Sequence, residues 1–153
     1  MTSPLEKLRE YGYELPTPRA PVANYVPITR TGNILYVSGQ ISSDETGVAE
    51  GRLGDTMNVV QGANAAELCA VNILAQIAAS GTPLDRIRRI LKLTVLVASA
   101  PDFHEQHLVA NGASNLLVTV LGDNARHARA AFGVASLPQG AAVEIDAVIE
   151  VEG

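Results

Sequence analysis

The pattern that most limits the fold lies in the last quarter of the chain. Val143, Ile145, Ala147 and Ile149 alternate with Glu144, Asp146 and Glu150, the period of two expected of a strand with one buried face. Upstream, Arg129 to Ala135 is mostly small or apolar. Leu137-Pro138-Gln139-Gly140 supplies turn chemistry between the two runs, because proline pre-sets one φ and glycine permits a positive one. The spacing predicts two neighbouring strands, a hairpin closed by a longer loop.

Arg129 stands fifteen positions before Glu144. Folding the two strands together would bring guanidinium and carboxylate into one cleft, at this subunit's edge or across to a neighbour. A guanidinium fork matches a carboxylate ligand. The competing reading is a structural or surface ion pair without chemistry.

Upstream, Ser3 and Pro4 predict the start of a short helix that Gly12 stops, by N-capping, proline at the first helical position and a glycine C-cap. Pro16, Pro18 and Pro21 make the following segment an extended leader, so residues 1–20 read as helix plus leader. Tyr25 to Arg30 and Ile34 to Val37 read as a hairpin around Thr31-Gly32-Asn33. Gly39, directly after the second strand, suggests close backbone approach to a side chain or ligand. Residues 43–55 read as a loop, and Thr56 or Asp55 is expected to cap a helix over 57–80. Val60, Asn64, Leu68, Val71, Ala75 and Ala78 fall on one face, a mostly apolar strip, and Cys69, Ile73 and Ile77 make a second one. Arg88 to Ala98 is apolar on both faces and predicts a central strand. With the strand and helix before it, this strand forms a βαβ unit with a right-handed crossover expected. A second helix opens at Pro101-Asp102-Phe103 and runs to about Leu121. The order is ββαβαββ, an α+β fold with both helices on one sheet face and the other face needing cover.

The 153 residues read as one domain, 1–153, and 47% apolar content allows a substantial core. A net charge of −5 disfavours nucleic-acid binding, which needs clustered basic residues. Arg86-Ile87-Arg88-Arg89 reads only as a solvated strand start. One cysteine, Cys69, excludes an internal disulfide and reads as a buried thiol. The polar start lacks a signal-peptide core, and no uninterrupted apolar run is long enough for a membrane span. A cytoplasmic protein without membrane partners is expected.

At this point the chain resembles the Rid (YjgF, L-PSP) family of enamine and imine deaminases. The resemblance rests on Asn24-Tyr25-Val26, Ile34-Leu35-Tyr36-Val37-Ser38-Gly39-Gln40-Ile41, Leu93-Thr94-Val95-Leu96-Val97 with Asp102-Phe103, and Ala128-Arg129-Ala130-Ala131 with Leu137-Pro138 and Val143-Glu144-Ile145-Asp146-Ala147. It runs from about residue 20 to 151. It implies a chorismate-mutase-like α+β fold and a homotrimer whose sheets face inward, with active clefts between subunits. It further implies that Arg129 grips a substrate carboxylate and Glu144 positions the attacking water. Tyr25 would line the cleft and Gly39 would contact the ligand through its backbone.

The chain departs from the family where active deaminases usually carry cysteine, here Ala131, whose backbone N–H remains available. His107 stands where asparagine is usual, and His127 where proline is usual. These departures mark a divergent subgroup. His107 and His127 are expected to enter the cleft as hydrogen-bond donors or a proton shuttle. His104 and His107 share a helix face, but no carboxylate or cysteine completes a metal spacing, so no metal is expected.

The resemblance implies hydrolysis of a small 2-imino or 2-enamino acid to a 2-keto acid and ammonia, with a small carboxylate as substrate. No cofactor is expected, since an imine carbon is already electrophilic. The alternatives are a non-catalytic trimer that binds or senses small carboxylates and an endoribonuclease; the second is disfavoured by the charge and the lack of an aromatic-basic surface.

Overall fold

A computed structural model describes residues 2–18, 20–21 and 23–153. The leader positions Met1, Arg19 and Val22 lie outside the described residues. In the first helix, α1 (Pro4–Tyr11), Ser3 Oγ accepts the Glu6 N–H at 3.2 Å and Gly12 caps the far end at φ 112°. Both ends therefore follow their sequence signals.

The main sheet has five strands: β1 (Ile28–Thr31), β2 (Ile34–Ile41), β5 (Ile87–Ala98), β6 (Ala128–Val134) and β7 (Val143–Val151). Two short strands, β3 (Ser43–Asp44) and β4 (Gly47–Val48), pair with each other in the segment expected to be only loop. The order across the main sheet is β1-β2-β7-β5-β6. β1 and β2 form the expected hairpin, though β1 starts at Ile28 rather than Tyr25.

The expected hairpin of the last two strands does not form. β5 lies between them, paired parallel with β6 and antiparallel with β7. The physical reason is the helix between β5 and β6, α3 (Gln106–Leu121), which returns the chain to the start of β5. That makes β6 parallel to β5. The connection after β6 then crosses β5 and inserts β7 between β2 and β5. Since β7 is antiparallel to both, β2 and β5 run parallel with β7 between them. The βαβ unit through α2 (Val59–Ala79) therefore spans one inserted strand.

Both long helices pack on one face, α2 over β2 and β7 and α3 over β5 and β6. Leu35, Val37, Leu93, Val95, Val97, Ile145, Ala147 and Ile149 point into this buried layer. In β7, buried residues alternate strictly with partly exposed Glu144, Asp146, Val148 and Glu150. The period-two reading holds along the whole strand. Among the described residues, no element of this chain covers the opposite face, where Tyr36 is 50% and Phe132 47% exposed.

α2 is capped by Asn58, not by Thr56 or Asp55. Asn58 and Gln61 form a reciprocal capping box, each side chain accepting the other's N–H at 2.9 Å. Thr56 Oγ1 instead accepts from Arg52 N–H. Of the two expected strips, Cys69, Ile73 and Ile77 are fully buried; in the other, Val71 and Ala75 are buried, whereas Val60 is 70% exposed and Asn64 faces solvent. Small residues make the difference: Gly62, Ala65, Ala66 and Ala70 extend the buried strip and admit α3 closely. A Cβ on Gly112 of α3 would lie 2.7 Å from the Ala63 carbonyl carbon. α3 starts at Gln106, later than Pro101-Asp102-Phe103 suggested, and no side chain caps it. Cys69 lies buried beneath β7, its thiol donating to the Val143 carbonyl at 3.4 Å, and burial pushes its pKa well up.

Candidate active site

β6 is the edge strand, and Arg129 pairs with Leu93, a residue of the helix-facing row. The Arg129 side chain therefore rises toward α3. Its Nη1 donates to Asn111 Oδ1 at 2.9 Å and to Ser114 Oγ at 3.1 Å, and its Nη2 to the His107 carbonyl at 3.1 Å. All three acceptors are neutral. The ion pairs among the described residues join Arg9 to Glu14, Arg89 to Glu150 and Arg126 to Asp123. Arg129 is thus held in place with its charge uncompensated.

His127 continues the network. Its Nε2 is 2.9 Å from Ser114 Oγ and its Nδ1 2.5 Å from the Ala125 carbonyl. A carbonyl only accepts, so Nδ1 carries the proton. A guanidinium only donates, so Ser114 accepts from Arg129, and with His127 neutral its own proton is free to go to Nε2. The chain of bonds then runs one way. Burial holds the His127 pKa below its usual value; the Ala125 carbonyl opposes this, and the Arg129 charge adds to it.

These residues open on a cavity of about 390 Å³. Ser114, His127 and Arg129 line it together with Asn115, Val118, Thr119 and Arg126. No acidic side chain lines it. Ala131 lies two residues along β6 on the same face, paired with Val95 and packed against the core.

Glu144 stands elsewhere. It pairs with Leu96 and Ile41 in a row on the open face. Arg129 shares a row with Leu93 and Ala147, three residues away and on the other face. One strand, β5, also intervenes, so the two backbones are about 10 Å apart across the sheet alone. Within one chain the sheet itself separates Arg129 from Glu144.

Glu144 meets Gly39 instead. The β2 register shifts between Val37 and Gln40, and a Cβ built at Gly39 would fall 2.8 Å from the Glu144 carboxyl carbon. Glycine is required for the carboxylate to lie over this bulge. Beside it, Ser38 Oγ is buried and has no hydrogen-bond partner among the described residues. The Glu144 pKa is raised, mainly by burial and further by Asp146.

Tyr25 is 48% exposed in the bend before β1, the sheet edge opposite β6. The His107 side chain is exposed, and its carbonyl, not its ring, holds Arg129. The structure therefore gathers Arg129, His127 and the His107 backbone in one group, and Glu144 and Gly39 in another. Sequence reasoning missed Asn111, Ser114 and Ser38. A signal for the first two existed, as polar residues three apart on a helix otherwise rich in apolar side chains. Among the described residues, no cluster of three or more His, Cys, Asp or Glu could hold a metal ion, and no helix is long and apolar enough to cross a membrane.

A mixed sheet with two helices on one face, an arginine fixed at its edge strand and a glutamate over a glycine bulge define an α+β protein of the YjgF type. Comparison with known proteins agrees. The sequence profile of the family described as Endoribonuclease L-PSP matches residues 17–151. The chain belongs to that family, as the resemblance implied. It is 47% identical over 146 residues to Protein TCP17 of Trypanosoma cruzi, covering 94% of this chain and 91% of that protein. It is 34% identical over 130 residues to the RutC family protein y4sK of Sinorhizobium fredii, covering 85% and 89%. The crystal structure of Atu1372 from Agrobacterium tumefaciens, a protein of unknown function, superposes with a TM-score of 0.91 at 54% identity, covering 97% of this chain and 92% of that one.

Proposed function

We propose that this protein hydrolyses a small 2-imino or 2-enamino acid to the 2-keto acid and ammonia, in clefts between the subunits of a homotrimer. Family membership supports a role in processing small molecules. The observation that carries the finer reading is Arg129: a guanidinium fixed by three neutral oxygens beside a cavity, with no carboxylate among the described residues paired to it. Such a group is a ready partner for a ligand carboxylate.

Arg129 holds the substrate carboxylate and so fixes the C=N carbon. Water adds to that carbon as Glu144 takes one of its protons and the imine nitrogen gains one. The carbinolamine then loses ammonia: Glu144 passes the proton it took to the amino nitrogen, the C–N bond breaks, and the hydroxyl proton leaves to solvent as the carbonyl forms. Burial raises the Glu144 pKa, which makes its carboxylate a stronger base. Because Arg129 and Glu144 occupy opposite faces of one sheet, the reading needs Arg129 from one subunit and Glu144 with Gly39 from the next. The uncovered sheet face, with exposed Tyr36 and Phe132, supplies an apolar surface for that association.

Ammonia release from freshly generated imines tests the proposal. Arg129→Ala is expected to abolish release while the trimer persists by light scattering. Release at the normal rate would refute the carboxylate clamp. The same separation of Arg129 and Glu144, with Ala131 in place of a thiol, favours a second reading, a trimer that binds small carboxylates without turnover. Binding of 2-oxobutyrate with no ammonia release would support it. RNA cleavage, the activity in the family's description, is opposed by the net charge of −5; cleavage surviving substitution of both Arg129 and Glu144 would revive it.

A further inference from the structure

We infer that the cavity beside Arg129 selects a ligand with two anionic groups, a four- or five-carbon 2-imino dicarboxylic acid, over the monocarboxylic imines. This rests on the reading of Arg129 as the clamp for the first carboxylate. The remaining cavity wall argues for a second.

Of the described side chains that line the cavity, only Val118 is apolar. A methyl or ethyl substituent would bury little apolar area there. It would also displace water from Asn115 and Thr119 without replacing their hydrogen bonds, which is costly. A second carboxylate instead meets the Thr119 hydroxyl, the Asn115 amide and the Arg126 guanidinium. At about 390 Å³ the cavity sits at the small end of ligand sites, right for a small diacid.

Arg126 is placed for this role. Its backbone closes the short turn Asp123–Ala125, with its N–H donating to the Asp123 carbonyl at 3.1 Å, and Ala125 before it is buried. The backbone is therefore anchored while the side chain remains 72% exposed. Its ion pair with Asp123, at 3.5 Å and with Asp123 90% exposed, is of the kind that contributes little. A dianionic ligand can draw Arg126 away at small cost. Arg126 and Arg129 then grip the two ends of one molecule, and the neutral His127 between them adds no third charge.

The test measures binding of 2-keto products, which report affinity without turnover. Dissociation constants of oxaloacetate and 2-oxoglutarate are compared with those of pyruvate and 2-oxobutyrate by calorimetry at fixed ionic strength. The wild type is expected to favour the diacids by roughly tenfold or more, about one well-placed charge contact. In Arg126→Ala that ratio falls toward one. Arg88→Ala, an equal charge change at the exposed start of β5, leaves the ratio unchanged. Equal affinity for both classes in the wild type overturns the inference. So does a ratio that survives Arg126→Ala or falls equally in Arg88→Ala. If monoacids bind through Arg129 but diacids gain nothing, only this inference fails. If no keto acid binds and Arg129→Ala changes nothing, the clamp reading fails with it.

Discussion

Gly112→Ala puts the contact between the two helices to a test of sign. In an isolated helix the substitution stabilises by about 1 kcal/mol, because glycine costs backbone entropy. Here the new Cβ would lie 2.7 Å from the Ala63 carbonyl carbon and 2.9 Å from its Cα, where ordinary contact begins near 3.4 Å. The obstacle is backbone, so no side chain can swing aside. α3 must move from α2 by more than half an ångström, and overpacking of this kind costs about 1–3 kcal/mol. With rigid backbone on both sides, the upper part of that range applies, leaving a net loss of about 1–2 kcal/mol after the propensity gain. For a chain of this length, that lowers Tm by roughly 2–8 °C. Circular dichroism melts of variant and wild type at one protein concentration give the answer. An unchanged or higher Tm would refute the close crossing. Asn111 and Ser114 flank Gly112 and ride on the same helix, so the variant should also raise KM below its melting range.

Ser114→Ala removes the link between Arg129 and His127; we expect about 1 kcal/mol of lost stability and KM raised several-fold with a smaller change in kcat, and an unchanged KM would show that Ser114 does not hold the clamp. His127 has a folded pKa below its unfolded value, so the unfolded chain binds the extra proton first and stability must fall as pH drops from about 6.5 toward the folded pKa. Tm measured from pH 7 to pH 5 should decline less in His127→Gln than in wild type, and parallel curves would show that His127 is not held neutral. Gly39→Ala places a Cβ against the flexible end of Glu144 rather than against backbone. Tm should stay within about 2 °C while activity falls more than tenfold; retained activity would separate Glu144's position from catalysis.

The strands of this fold were legible one by one, but their order was not. β7 declares itself because every second residue is buried from Val143 to Val151. β5 declares itself as an inner strand by its long apolar run, although a register shift puts Ile90 in the buried row and leaves Lys92, Thr94 and Leu96 on the open face. Nothing local in the segment after β6 distinguishes a turn back from a crossing over β5; the difference lies in the direction that α3 imposes on β6, a long-range property. The same limit applied to the site. Arg129 and Glu144 stood out by residue type, yet strand parity through β5 sends them to opposite faces. In α2 the buried strip was partly hidden because glycine and alanine, weak in any hydrophobic pattern, carry much of the contact. Asn58 outcompeted Thr56 as the cap because Gln61 three positions on completes the reciprocal pair.

The separation of Arg129 from Glu144 makes shared clefts testable without a structure of the assembly. Arg129→Ala and Glu144→Gln should each be inactive alone. If a cleft takes its arginine from one subunit and its glutamate from the next, unfolding the two variants together and refolding them yields mixed trimers. A cleft is then intact whenever a Glu144→Gln subunit supplies the arginine and an Arg129→Ala subunit supplies the glutamate. Random assembly from equal amounts makes that about a quarter of all clefts. Roughly a quarter of wild-type ammonia release should return. A cleft built within one subunit predicts no recovery, since every subunit then lacks one of its two groups. Mixing the folded variants without unfolding controls for subunit exchange, and recovery should then follow the exchange rate. Zero recovery in verified mixed trimers, beside normal release by refolded wild type, would refute a cleft that takes its arginine and its glutamate from different subunits.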